Sequence, residues 1–243
     1  MTRRRWIADE VDLARNRAAL VGQNALHLAR VLRARAGQEF DLVLPPGGSS
    51  VHAARIVSVA DSRVEFELGE QLDAVLELTQ VDLYLAVFKF DRMEWAIEKA
   101  TELGVSVIIP VIARRTEKHL AVAAEKRVDR WRRVAHEASQ QSRRGRLPQI
   151  APPQKLGEAL EQPDHDTARI VLAENEKQTR LKGLLQELGN PHQLSMAVGP
   201  EGGWTRDELA LFAESGWRAA SLGPAILRAE TAAIAALAIT LSG

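Results

Sequence analysis

Apolar and polar positions divide this chain into two textures. In the first part, QEFDLVL (38–44), VHAARIVSV (51–59) and RVEFELG (63–69) alternate or run apolar at strand length, with PPGGSS as the turn between the first two. Ahead of them, ALHLARVLRAR (25–35) reads as a helix with Leu28, Val31 and Leu32 on one face and Arg30, Arg33 and Arg35 mostly elsewhere. Short strands with one packed helix predict a small barrel over residues 1–72. From about residue 80, strands and helices alternate. VDLYLAVF (81–88) is an apolar strand. DRMEWAIEKATEL (91–103) carries Met93, Ala96, Ile97 and Ala100 at helical spacing and stops at Gly104. VSVIIPVIA (105–113) follows as a buried strand. Residues 121–142 form a longer helix with Val128, Trp131, Ala135 and Ala138 inward. RIVLAE (169–174), LSMAVG (194–199) and WRAASLG (217–223) are further strands, with helices at 178–188, 205–215 and 228–241. RLPQIAPPQ (146–154) is a short Pro-rich connector. This order predicts a mostly parallel α/β sheet covered on both faces over residues 73–243. Its ligands are expected beyond the strands' carboxyl ends, after Glu174, Val198 and Leu222.

Composition narrows the chemistry. The 32 basic side chains balance 32 acidic ones, which rules out a uniformly basic nucleic-acid coat. The charge is nonetheless clustered: residues 1–35 carry a net +5 and residues 114–146 a net +7. Two basic islands on an acidic body point to a localised polyanion site. The chain has no Cys, which excludes disulfides, thiolate metal sites and a cysteine nucleophile. No apolar run reaches membrane-spanning length, and the basic start has no apolar segment behind it, so a soluble cytoplasmic protein is expected.

The familiar phosphate signatures are missing. No G-x-G-x-x-G follows a strand, and there is no G-x-x-x-x-G-K-[ST]. Three stretches carry the chemical interest. In VGPEGGWTRDE (198–208) an apolar strand runs into Gly-Pro-Glu-Gly-Gly, then into a helix whose Thr205 and Glu208 have capping-box spacing. Adjacent glycines let a backbone approach a ligand closely. A plain β–α turn with a solvated Glu201 is the competing reading. In SLGPAILRAETAAIAALAI (221–239) the polar group around Arg228, Glu230 and Thr231 opens a nearly all-apolar helix. That helix has to be covered by the core or a subunit interface, and its polar start is costly unless paired or bound. In HEASQQSRRGRLP (136–148) a helix gives way to a cationic stretch, suited to phosphate contacts or simply solvated.

Together, GPEGG (199–203) and LGPAILRAETAAIAAL (222–237) resemble the RsmE family of 16S ribosomal RNA uridine-N3 methyltransferases. HLARVLR (27–33), EKATELGVSVIIPVIARRT (98–116) and HEASQQSRR (136–144) add to the likeness, which runs the length of the chain. The resemblance implies an N-terminal PUA-like barrel and a C-terminal SPOUT domain, a parallel sheet with a trefoil knot. It also implies a homodimer that binds S-adenosylmethionine in the knot and uses no metal. The cofactor would lie among Leu172 and Glu174, then Gly199, Pro200, Glu201, Gly202 and Gly203, then Leu222, Gly223, Ile226, Leu227, Arg228 and Thr231. Ala225 stands where the family usually has Arg, and Ala229 where it often has Thr.

On that resemblance, Arg228 would stabilise charge on the uracil oxygens, and Glu201 would orient the cofactor or assist proton removal. Arg30, Arg33, Arg114, Arg115, Arg143 and Arg144 would hold phosphates of the 16S ribosomal RNA or small subunit. Two other readings use the same features: a related knot methyltransferase with another RNA target, and an RNA-binding assembly factor without catalysis.

Overall fold

The computed structural model describes residues 5–44, 50–72, 79–142, 147–161, 167–189 and 191–241. The chain divides into two compact units, residues 1–76 with 139–147, and residues 77–138 with 148–243.

The first unit is built on strands β1 (Arg5–Ile7), β2 (Glu10–Asp12), β3 (Arg17–Val21), β4 (Glu39–Leu44), β5 (Ser50–Ala60) and β6 (Arg63–Leu72). Their order is β1-β4-β5-β6-β3-β2. All neighbours are antiparallel except β1 and β4. The two ends of this order are consecutive in the chain. Ala8 N–H donates to Val43 O on one side, and Asp9 N–H to Ala19 O on the other (2.9 and 3.0 Å). The chain thus passes, at residues 8 and 9, from one end of the sheet to the other. Alternate residues such as Leu42, Ile56, Val64, Phe66 and Leu68 fill the interior. The helix expected at 25–35 is displaced. It begins at Gly22 as α1 (Gly22–Leu26) and widens into a π-helical turn at His27–Val31. The wider turn rotates the face that a 3.6-residue period assigns. Leu28 is buried, whereas Val31 points to solvent at 66% exposure. Strands β1–β3 do not stand out in the sequence, because such short segments gain their identity from the strands they pair with.

The second unit holds β7 (Gln80–Ala86), β8 (Val107–Ile112), β9 (Gln149–Ile150), β10 (Gln154–Lys155), β11 (Ala168–Leu172), β12 (Gln193–Val198) and β13 (Arg218–Ala220). Its sheet runs β10-β8-β7-β12-β11-β13, with β9 also on β8. Every pairing is parallel, as the alternation of strands and helices predicts. The Pro-rich connector supplies β9 and β10, which lie one after the other along the outer edge of β8.

Helices α2 (Phe90–Leu103), α3 (Lys118–Ala123), α4 (Val128–Gln141), α5 (Leu156–Leu160), α6 (Leu181–Glu187), α7 (Arg206–Glu214) and α8 (Ala229–Leu241) connect or follow these strands. The single long helix expected at 121–142 is instead α3, a 3-10 turn at Glu125–Arg127, and α4. Two apolar clusters sandwich the sheet. One joins α2, α4, α6 and α8 through residues such as Met93, Ile97, Trp131, Leu184 and Leu237. The other joins α5 and α7 through Leu160, Trp204, Phe212 and Trp217. Trp131 is fully buried and meets Phe90 edge-on, while Arg127 caps the same Phe90 ring at 4.7 Å. Gly104 ends α2 at φ 120°, a conformation that favours glycine, and its N–H closes on Ala100 O.

Candidate active site

Three bends at the carboxyl ends of neighbouring strands build one cleft of about 330 Å³. They follow β11, β12 and β13, and they are the bends to which the α/β pattern points. Ten of the thirteen residues expected to hold a cofactor line this cleft: Leu172, Glu174, Gly199, Pro200, Gly202, Gly203, Leu222, Gly223, Ile226 and Leu227. Glu201, Arg228 and Thr231 lie outside the lining. Asn175, Trp204, Arg206 and Ala232 belong to it and were not proposed for it from the sequence, while Ala225 was noted only as a departure from the family pattern and Arg115 only as a phosphate contact.

The glycine bend is shaped by close packing. Gly203 N–H donates to Pro200 O at 2.8 Å, closing a tight turn in which Gly203 takes φ 69°. A methyl at Gly199 would stand 3.2 Å from Trp204 Nε1, and one at Gly202 would stand 3.1 Å from Arg115 Cδ. Arg115 Nη1 donates to Gly202 O. After the turn, Thr205 caps α7 with the reciprocal Glu208 bond expected from the S/T-x-x-E pattern.

Beside the bend lies a charged group that sequence reasoning only half anticipated. Glu230, in the first turn of α8, is buried, with Oε1 3.9 Å from Arg92 Nε. The same Arg92 donates from Nη1 to Glu201 Oε1 at 2.8 Å. The polar start of the apolar helix is thus only partly compensated: Arg92 faces Oε1 at ion-pair distance, while the buried Oε2 has no hydrogen-bond partner among the described residues. The partner, Arg92 on α2, is more than a hundred residues away and carried no local signal. Arg228 is exposed, with no side-chain partner among the described residues.

The expected RNA-contacting arginines are distributed over both units. Arg30 is ion-paired with Asp61, through Nε to Oδ1 at 3.1 Å and through Nη2 to Oδ2. This contact holds the Asp61 carboxyl below its ordinary range. Such an exposed pair is weak and can yield to phosphate. Arg33 is exposed at φ 51°, immediately after the π-helical turn, where Ala34 N–H reaches back to Leu28 O. Arg114 and Arg115 follow β8, and both are exposed. Arg143 and Arg144 lie outside the described residues.

The cleft walls fit a nucleoside-bearing cofactor. Leu172, Val198, Leu222, Leu227 and Ala232 offer an apolar slot, Glu174 and Asn175 offer polar groups at one end, and the glycines leave backbone exposed. An acid just beyond a strand end suits ribose hydroxyls or a cationic centre. Sheet and cleft together define an α/β protein that holds a small organic molecule across its strand ends.

Residues 76–241 match the model of the RNA methyltransferase domain, and the chain belongs to that family. It is 34% identical over 215 residues to the ribosomal RNA small subunit methyltransferase E of Synechocystis, covering 87% of this chain and 68% of the relative. The protein of the same name in Bacillus subtilis is 30% identical over 226 residues, with 90% and 87% covered. A crystal structure of this methyltransferase from Neisseria gonorrhoeae, bound to S-adenosyl methionine, superposes with TM-score 0.84 at 30% identity, covering 98% of this chain and 96% of that one. A Legionella pneumophila putative methyltransferase in complex with the same cofactor also gives 0.84, at 26% identity, with 100% and 98% covered.

Proposed function

We propose that this protein transfers a methyl group from S-adenosylmethionine to N3 of a uridine in 16S small-subunit ribosomal RNA. One observation carries the reading: three bends, the acidic one after β11 and the glycine-bearing ones after β12 and β13, meet in one cleft of nucleoside-binding character. The similarity to the ribosomal RNA small subunit methyltransferases E supports the choice of substrate.

When bound, the cofactor supplies a methyl on a positively charged sulfur, which is already electrophilic. The residues of the chain do the rest. Leu172, Leu222 and Leu227 would hold the cofactor's nucleoside, and Glu174 would take polar groups of it. The N3 proton of uracil must leave as the nitrogen attacks, and negative charge spreads to O2 and O4. Arg228, exposed and unpaired among the described residues, would stabilise that charge. Glu201 has Oε1 held by Arg92, which leaves Oε2 to accept the proton directly or through water. N3 lies on the Watson–Crick edge, so the uridine enters unpaired or flipped out. Arg30, Arg33, Arg114, Arg115, Arg143 and Arg144 hold neighbouring phosphates, and the first unit acts as a PUA-like β-barrel that binds RNA.

Two further features belong to this reading. Ser221 N–H donates to Thr179 O, and Leu181 N–H donates to Ser221 O. The chain leaving β13 is thus laced to the segment before α6, and α8 then packs on α2 and β12. This course supports the threading of a trefoil knot. The protein works as a cytoplasmic homodimer in which a second copy covers apolar surface such as Trp95 and Ile239, 45% and 40% exposed.

Incubation with tritiated cofactor and small-subunit RNA, followed by nucleoside analysis, is expected to yield 3-methyluridine. Label on another nucleoside, or none with either free RNA or assembled subunits, overturns the proposal.

A further inference from the structure

Glu208 is 5% exposed, although it sits in the first turn of a surface helix. Its carboxylate accepts three short bonds. Thr205 N–H and Oγ1–H reach Oε2 at 2.7 and 2.9 Å, which is ordinary capping geometry. The third is long-range: Arg114 N–H donates to Oε1 at 2.7 Å from 94 residues away. Arg114 belongs to the 113–116 turn that leaves β8. That turn is also pinned by Thr116, whose Oγ1 donates to Val87 O at 3.0 Å and accepts from Ala113 N–H at 3.2 Å.

The next residue, Arg115, lays its stem over Gly202, donates to Gly202 O and lines the cleft. Arg206, the first residue of α7, lines the same cleft and has no ion pair among the described residues. An arginine left to itself spreads over many rotamers, and collecting them costs conformational entropy. Here a buried carboxylate fixes the backbone from which the arginine departs, and a glycine with no side chain provides the surface on which it lies.

We infer that Glu208 is a positioning residue for RNA recognition: by gripping Arg114 N–H it holds the 113–116 turn so that Arg115, beside Arg206, presents its guanidinium at the cleft to a phosphate of the substrate strand. This rests on the reading of the protein as an RNA methyltransferase. The link joins the carboxyl end of β8 to the glycine bend after β12, so the arginine and the cofactor bend keep one register.

The test uses the full chain with small-subunit RNA and measures KM for RNA, kcat, cofactor affinity by calorimetry, and the salt dependence of RNA binding. Arg115→Ala is expected to raise KM for RNA several-fold and to lower the salt slope by about one unit. Glu208→Gln removes the charge and leaves one acceptor oxygen for donors on two sides, which weakens the grip on Arg114 N–H; it is expected to move KM and the salt slope in the same direction as Arg115→Ala, with kcat and cofactor affinity within about twofold. The double variant should be no worse than Arg115→Ala alone. Thr205→Ala, which weakens the cap but leaves the Arg114 contact, should lower Tm without moving KM. If Glu208→Gln does not fold, Thr116→Val releases the same turn from its other anchor and should give the same RNA phenotype. Multiplicative effects in the double variant, or an unchanged salt slope in Glu208→Gln and Thr116→Val, overturn the inference while methyl transfer stands. Loss of transfer to RNA by the unaltered protein removes instead the reading on which it rests.

Discussion

Gly199→Ala adds one methyl group at the tightest point of the cofactor bend. The new Cβ would lie 3.2 Å from Trp204 Nε1, 3.3 Å from Cε2 and 3.4 Å from Gly203 Cα. Whether the change is tolerated depends on which of these atoms can move. Trp204 is 7% exposed and packs edge-on against Phe212 at 4.9 Å between centroids, and Phe212 in turn packs against Trp217 at 5.1 Å. The indole therefore cannot retreat without moving an aromatic stack through the core. Gly203 is fixed by its bond to Pro200 and its positive φ. Overpacking of this kind costs about 1–3 kcal/mol. For a chain of this size that is a fall in Tm of about 2–12 °C. Both Gly199 and Trp204 line the cleft, so the displacement also deforms the cofactor wall, and affinity for S-adenosylmethionine should drop at least about tenfold, or roughly 1.4 kcal/mol. Calorimetric titration with the cofactor and a thermal melt measure both quantities. Gly202→Ala is the internal control. Its Cβ would meet Arg115 Cδ at 3.1 Å, on a flexible, exposed side chain that can swing away. Stability should then change by no more than about 0.5 kcal/mol, cofactor affinity should fall less than in Gly199→Ala, and KM for RNA should rise. Unaltered Tm and cofactor affinity in Gly199→Ala would refute the claim that Trp204 is a fixed wall.

Arg228→Ala should lower kcat about 10²–10³-fold, the usual loss for one charge-stabilising donor, with cofactor affinity and Tm unchanged because the side chain has no partner among the described residues; a normal kcat removes the role assigned to it. Arg33 occupies the left-handed region at the end of its helical turn, so Arg33→Gly should raise stability by about 1 kcal/mol in a thermal melt while weakening RNA binding, and a lower Tm would refute the strain argument. Glu176 Oε1 accepts the backbone N–H groups of Gln178 and Thr179 at 2.7 and 2.9 Å, which lowers its carboxyl pKa. A lowered folded pKa makes its stabilising effect complete above the unfolded value of about 4.3 and lost as pH falls through the folded value. Melts of the native protein and Glu176→Gln should therefore differ at pH 6 and converge toward pH 3; a gap that widens in acid contradicts that sign.

Much of this molecule is legible one segment at a time. The apolar runs at 81–88 and 194–199, the spacing of Met93, Ala96, Ile97 and Ala100, and the Thr205–Glu208 box each depend on neighbours within a few residues. Accordingly they place the parallel strands, α2 and the start of α7 almost where they stand. The glycine bends are readable for the same reason, since Gly-Pro-Glu-Gly-Gly after an apolar strand constrains the backbone locally. What could not be read depends on distant partners. Strands β1 and β2 exist because residues 8 and 9 bridge Val43 and Ala19. The π-helical turn that exposes Val31 departs from the period on which amphipathic reading relies. Arg92 becomes part of the site only where α2 meets Glu201 and Glu230, and Glu208 grips Arg114 only because β8 ends beside the start of α7. Periodicity and turn chemistry are short-range properties written in adjacent residues, whereas ion pairs and backbone anchors across a hundred residues arise from how the sheet orders its strands.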